Sequence, residues 1–301
     1  MKLKNQYKGI FYIILSAFCF ALMDMFVRMA GELPSIQKSF FRNFVAAVFA
    51  CGILIKEKKS VSIGKESWGY LILRSVFGTL GILCNFYAVD HLALADASML
   101  NKMSPFFAVV FSVLILREKV SIPQITMVLG AFVGSLFVIK PTVANMDLVP
   151  SLMGLLGGIG AGAAYTMVRK LGSQGVKGPF IVFFFSMFSC VVTLPWLIFD
   201  YHPMTGGQIV ILLLAGLAAA GGQFSITAAY CYAPAKEISV YDYSKIIFST
   251  VLGFFVFGQI PDVFSWIGYG IICLMVVLMF LYNNKKAFQT TLYSNKTKEK
   301  S

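Results

Sequence analysis

Charge is what this chain has least of. Asp, Glu, Lys and Arg together make up 13% of its 301 residues, against roughly 25% in soluble domains. A soluble fold of this length could not clothe its surface with so few charges. Histidine is scarcer still: His91 and His202 are the two copies, and neither has a partner at metal-ligand spacing. There is no Gly-x-Ser-x-Gly, no His-Glu-x-x-His and no phosphate-binding glycine loop, which leaves an enzyme without chemistry and a primary pump without an ATP site. Nothing in the sequence calls for a metal or a cofactor. The six cysteines all fall inside or at the edge of apolar segments, without a Cys-x-x-Cys pair, so a disulfide or zinc framework is not expected. No polar stretch is long enough to be a separate soluble domain.

What is abundant is apolar surface: 58% of the residues are hydrophobic, 29 of them phenylalanine, and the mean hydropathy is +0.80. A net charge of +12 would suggest nucleic acid in a soluble protein; spread between apolar runs it reads instead as cytoplasmic loops, with no nucleic-acid partner. A helix crosses about 30 Å of hydrocarbon with about 20 residues. By that measure the chain holds ten spans: 9–30, 36–55, 68–88, 95–116, 122–140, 151–169, 179–198, 208–230, 237–258 and 263–283. The expected architecture is all-α and multi-pass in the cell membrane (plasma or inner). The first span is too long for a cleaved leader, and the Lys-rich tail 284–301 reads as a disordered cytoplasmic segment.

Basic residues in alternate loops set the orientation. With the N-terminus inside, the inner loops hold Lys2, Lys4, Lys8, Lys56, Lys58, Lys59, Lys65, Arg117, Lys119, Arg169, Lys170, Lys177, Lys236 and five tail lysines, 18 in all, while the outer loops hold 3: Arg28, Lys38 and Lys140. Both termini are therefore expected in the cytoplasm. Sliding the chain against itself by 141 residues superposes spans one to five on six to ten without a gap. Val27-Arg28 falls on Val168-Arg169, Gly81 on Gly222, Ala88 on Ala229 and Phe107 on Phe248. Five is an odd number of crossings, so the second copy inserts upside down. The loops agree, since Arg117-Glu118-Lys119 maps onto Gly258-Gln259-Ile260, which carries no positive charge. The expected organisation is one membrane domain with a first five-helix repeat at 9–141 and an inverted second repeat at 150–282.

In Arg74-Ser75-Val76-Phe77-Gly78, Phe86-Tyr87-Ala88, Ala93-Leu94-Ala95-Asp96-Ala97-Ser98, Ser104-Pro105-Phe106, Leu116-Arg117-Glu118-Lys119 and Phe41-Arg42-Asn43, the sequence resembles the EamA-type branch of the drug/metabolite transporter superfamily. The second half matches less well, with Ser244-Lys245-Ile246 in place of the Ser-Pro-Phe pattern and Phe257-Gly258-Gln259 in place of the Glu-bearing end. The resemblance implies transport of metabolites, amino acids or drugs without naming a cargo.

Ionisable residues within spans are the candidates for the site, because each costs at least ~2.5 kcal/mol to insert near the bilayer centre. Asp24 and Arg28 are one turn apart in the first span. Arg42 in the second could pair with Asp24 or meet substrate, and Arg74 lies in the third. Asn101-Lys102 in the fourth span falls on Asp242-Tyr243 in the ninth, with Lys245 beyond, and Tyr165 falls on Asp24. The substrate-binding set is thus Asp24, Arg42, Arg74, Asn101, Lys102, Tyr165, Asp242, Tyr243 and Lys245, and Tyr230, Tyr241 and Trp266 could stack on a flat ligand. The competing structural readings are snorkelling and mutual neutralisation of Asp242 and Lys245 at i,i+3. Lys102 is expected to be an ammonium without a permanent partner, and Pro105 to bend the helix beside it. Spans one, three, four, six, eight and nine are expected to line the path, and five and ten to face lipid or another protomer. Gly154, Gly158 and Gly162 read as a packing face, as do Gly130 and Gly134.

The intramembrane excess of Arg and Lys favours a secondary transporter for an anionic or zwitterionic organic metabolite, such as an amino acid or nucleoside-like compound. The alternatives are a lipid-head-group flippase or an exporter of lipophilic drugs. Asp24 or Asp242 could carry a coupling proton, and the chain could act as a monomer or a homodimer. Cysteines introduced by Lys58→Cys and Asp147→Cys are expected to label from opposite sides of the membrane. Labelling from one side would overturn the topology.

Overall fold

The computed structural model describes residues 2–57, 64–91, 100–139, 148–258 and 260–298, and every regular element among them is helical. In chain order these are α1 (Lys2–Met29), α2 (Ser35–Glu57), α3 (Lys65–His91), α4 (Ser104–Leu116), α5 (Ile122–Ile139), α6 (Leu148–Ser173), α7 (Gly178–Phe199), α8 (Gly206–Tyr232), α9 (Ala235–Ile238), α10 (Ser244–Phe257) and α11 (Val263–Lys298), with a 3-10 turn at Ser239–Tyr243 between α9 and α10. Eight helices among the described residues are long and apolar enough to cross a membrane, counting Ala235–Phe257 as one; α4 and α5 are shorter apolar helices. The tail read as disordered continues the last helix to Lys298. Positions 58 and 147, and most of the linker before the fourth span, lie outside the described residues.

The fourth and ninth spans are both interrupted, and at equivalent places. Leu100-Asn101 is helical, Lys102-Met103 is a turn, and α4 restarts at Ser104 with Pro105 in its first turn. Proline is tolerated there because a first-turn N–H has no intrahelical acceptor. In the ninth span the 3-10 turn ends at Tyr243 and α10 restarts at Ser244. Both half-helices then close in the left-handed region, α4 at Arg117 (φ 53°) and α10 at Gly258 (φ 64°). These two caps coincide at the 141-residue offset. Arg117 is the one non-glycine residue at positive φ among the described residues, a strain of about 1–3 kcal/mol for a side chain.

The principal packing partners are α3 with α6, α1 with α8, α2 with α7, α5 with α11, α4 with α6, α1 with α10, and α2 with α8, whose repeat image is the lesser contact of α3 with α7. Shifting every partner by one repeat turns this set into itself. Glycine sets the spacing. A Cβ on Gly160 of α6 would lie 2.9 Å from the Phe77 carbonyl oxygen of α3, and one on Gly158 would lie 2.6 Å from that of Leu100. Backbones approach this closely only where side chains are absent. The packing role expected for Gly154, Gly158 and Gly162 holds, and Gly130 and Gly134 likewise seat Met275, Ile271 and the Gly268 backbone of α11. Val133 is exposed on the outside of the bundle, as expected for the fifth span.

Two ends of the bundle differ. At the lysine-rich end, Lys236 Nζ donates to the Lys119 carbonyl at 2.6 Å, Ser67 to Gln174 at 3.0 Å and Tyr7 to Asn284 at 3.1 Å. At the other end, Gln37 exchanges hydrogen bonds with the His202 backbone at 2.9 and 3.0 Å. Gly160→Ala is expected to lower stability by about 1–3 kcal/mol through overpacking. Gly69→Ala, which meets open space, is expected to leave it unchanged or slightly higher; thermal melting in detergent reads both.

Candidate binding cavity

The breaks in the fourth and ninth spans bring their polar residues together. Lys102 Nζ lies 3.3 Å from Asp242 Oδ2 and 3.4 Å from the Asp242 carbonyl oxygen. Tyr243 donates its hydroxyl to the Lys102 carbonyl at 3.0 Å. The Tyr243 hydroxyl thus satisfies the Lys102 carbonyl at the break in the fourth span, and Lys102 is a second donor to the Asp242 carbonyl, which also accepts from the Ser244 N–H. Lys102 therefore has a partner in this conformation, drawn from the Asp242-Tyr243 segment that is its counterpart in the other half. The negative charge sits just before the first turn of α10, at the positive end of that helix's dipole.

A second ion pair joins the same region. Lys245 Nζ reaches Asp24 Oδ2 at 2.7 Å, so Asp24 takes its partner from the ninth span rather than from Arg42, and Lys245 does not neutralise Asp242. Side-chain exposure separates the pairs: 10% and 13% for Lys102 and Asp242, 21% and 47% for Lys245 and Asp24. Both border a cavity of about 790 Å³ whose wall includes Asp24, Arg28, Asn85, Asn101, Lys102 and Lys245. The wall extends to Gly31, Lys38, Ile260 and Pro261, so the cavity opens at the end away from the lysine-rich loops.

Asp24, Asn101, Lys102 and Lys245 of the predicted set line this cavity, with Asp242 behind Lys102. Arg42 sits over the Phe20 ring at 5.7 Å, and Arg74 over the Phe185 ring at 3.9 Å; neither lines the cavity. Tyr165 stacks on Tyr230 at 4.9 Å, and Tyr243 is fully buried. The flat-ligand candidates also lie elsewhere: Tyr230 and Tyr241 are buried in the core, and Trp266 is 66% exposed on the outside of the bundle. Spans six and eight add nothing to the wall, whereas the tenth supplies Ser265 and Tyr269, against expectation. A short Pro261-Asp262 link sets the first turns of α11 beside α10, and Tyr269 donates to Thr250 at 2.6 Å. Ser249, Thr250 and Tyr269 were not legible as site residues, because isolated polar groups in apolar spans are common.

Among the described residues, side-chain contacts close the lysine-rich end. Arg169 reaches Glu118 at 3.5 Å and the Cys231 carbonyl at 3.1 Å, Gln124 donates to Asn283 at 3.2 Å, and Tyr12 stacks on Tyr232 at 5.8 Å. A charged cavity open at one end and sealed at the other is suited to bind a polar organic ligand, with Lys and Asp offered on one surface.

The EamA-like transporter family matches this chain twice, over residues 7–140 and 149–281, and the chain belongs to it. The pseudopaline exporter CntI of Pseudomonas aeruginosa is 30% identical over 92% of this chain and 97% of its own length. The riboflavin transporter of Vibrio cholerae is 27% identical over 93% and 95%, and human solute carrier family 35 member G1 is 26% identical over 89% and 76%. A solved crystal structure superposes with a TM-score of 0.79 at 12% identity, covering 92% of this chain and 98% of that one, and so shares the fold. The protein is a multi-pass membrane transporter with a small-molecule substrate, and not an enzyme.

A double-mutant cycle should separate the two ion pairs. Breaking Lys102–Asp242 from one side should cost about 3–5 kcal/mol, as for buried pairs, and Lys245–Asp24 about 0–1 kcal/mol, as for exposed ones. Equal coupling energies would contradict the difference in burial.

Proposed function

We propose that this EamA-family member is a secondary active transporter that works by alternating access. In this reading, residues 9–141 and 150–282 are inverted five-helix repeats with both termini in the cytoplasm, and the cavity faces outward. The cargo is a small anionic or zwitterionic metabolite of the amino-acid or nucleoside-like class. The observation that carries the proposal is the pairing of Lys102 with Asp242 at the crossing of the two interrupted spans, beside a cavity open at one end. Interrupted spans meeting near the bilayer midplane are the usual binding element of inverted-repeat carriers.

The chemistry of recognition follows from the two pairs. A carboxylate on the cargo can take the place of Asp242 at Lys102 or of Asp24 at Lys245, and a cargo ammonium can take the place of the lysine. Substitution of one charge pair for another avoids leaving a buried charge bare, which is the expensive alternative. A lipophilic cation would meet, besides the two paired aspartates, a wall that also carries Arg28 and Lys38. Asp24, the more exposed carboxylate, is the group we assign to a coupling proton.

The test is counterflow in proteoliposomes, after a melting-shift screen of amino acids and nucleosides has identified a cargo. Lys102→Ala is expected to stay inserted and helical while transport falls at least tenfold, about 1.4 kcal/mol. Lys102→Arg should recover part of the activity, since a planar guanidinium does not replace a compact ammonium. Normal transport by Lys102→Ala would refute the assignment.

A further inference from the structure

Among the described residues, Arg74 is a buried cation without a counter-ion. Its residue is 2% exposed, and its Nε has no hydrogen-bond partner. The ion pairs of the cavity and of the lysine-rich end join Lys102 to Asp242, Lys245 to Asp24 and Arg169 to Glu118, and Arg74 takes part in none. The guanidinium carbon lies 3.9 Å from the Phe185 ring centroid. Gly78, one turn further along α3, makes that posture possible, since a Cβ there would collide with Arg74 Nη1 and lie 2.8 Å from the Phe185 ring. Next to Phe185 in α7, Ser186 is fully buried with an unpartnered hydroxyl. One turn on, Ser189 shares a 2.6 Å hydrogen bond with Thr79 of α3, so this face of α7 looks at α3. Two buried polar groups on facing helices, Arg74 Nε and the Ser186 hydroxyl, are thus unsatisfied.

The site is separate from the cavity. The Arg74 guanidinium, level with Gly78, lies about 10 Å from Asn85 along α3 toward the lysine-rich end, at 1.5 Å per residue. A guanidinium taken out of water without an anion is strongly disfavoured, and an intramembrane charge of this kind marks function. We infer that Arg74, with Ser186, forms an occluded receptor for a carboxylate, which receives the acidic group of the cargo after it has passed the Lys102–Asp242 pair. This deepens the carrier reading and rests on it. A carboxylate fits better than a phosphate: one guanidinium fork matches one planar anion through two parallel N–H donors, whereas a tetrahedral phosphate needs more donors than one fork and one hydroxyl offer.

Melting of the full chain in lipid nanodiscs tests this without transport, with sodium acetate as probe and chloride exchanged to hold ionic strength. Wild type should be stabilised saturably. Arg74→Met should melt higher than wild type without acetate, because the bare charge is gone, and should weaken the acetate midpoint at least tenfold. Ser186→Ala, which keeps the arginine, should weaken it about threefold. No saturable response in wild type, or an unchanged midpoint in Arg74→Met, would overturn the site. So would a response lost in Lys102→Ala and kept in Arg74→Met, which puts the anion on the ion pair. Tighter response to inorganic phosphate than to acetate would overturn the carboxylate assignment. A wild type that binds acetate but shows no counterflow would count against the carrier and leave the receptor standing.

Discussion

Lys102 and Asp242 meet where two membrane spans give up their helical hydrogen bonds, and that contact governs the middle of the molecule. A broken helix in a bilayer leaves amides and carbonyls that lipid cannot satisfy. Here the breaks bond to one another: Lys102 reaches the side chain and carbonyl of Asp242, and the Tyr243 phenol reaches the carbonyl of Lys102. Because the partners come from different halves of the chain, the interaction is intact only when the halves are apposed. Whatever competes for either charge therefore acts on the relation between the halves.

Around this contact the scaffold divides into stiff and breakable parts. Glycines of α6 let α3 and α4 approach backbone to backbone, and such contacts do not loosen by degrees, since packed interiors resist continuous deformation. The seal at the lysine-rich end is of another kind. Arg169 to Glu118, Lys236 to Lys119 and Gln124 to Asn283 are isolated polar contacts near the ends of helices, each worth about 0.5–3 kcal/mol net. A seal of that type can be exchanged for water at little cost. The equivalent of Arg169 in the first half, Arg28, lines the open cavity at the opposite end and lies over the Phe257 ring. One arginine thus closes an end while its counterpart stands at an opening.

Much of the architecture was legible because it is written linearly. Hydropathy over about 20 residues reports the bilayer directly, and the 141-residue offset marked Lys102 and Tyr243 as equivalents, which then touch. The polar clusters 101–102 and 242–245 stood out because charge in a span is rare. The partner of each charge was not legible. Asp24 had Arg28 one turn away and Asp242 had Lys245 within its own turn, yet each pairs across the bundle, with Lys245 and Lys102. The depth of Arg74 and the entry of Ser265 and Tyr269 into the cavity were equally hidden.

The sequence by itself determined the solvent, the helical spans, their duplication and the residue types at the site. The tertiary structure decided which charges neutralise each other, which end is open, and that Arg74 is left without an anion. The physical reason lies in the helix. Periodicity fixes which residues share a face, but the rotation of that face and the neighbour it meets depend on where glycine lets backbones touch. That condition joins residues far apart in the chain, and no local pattern carries it.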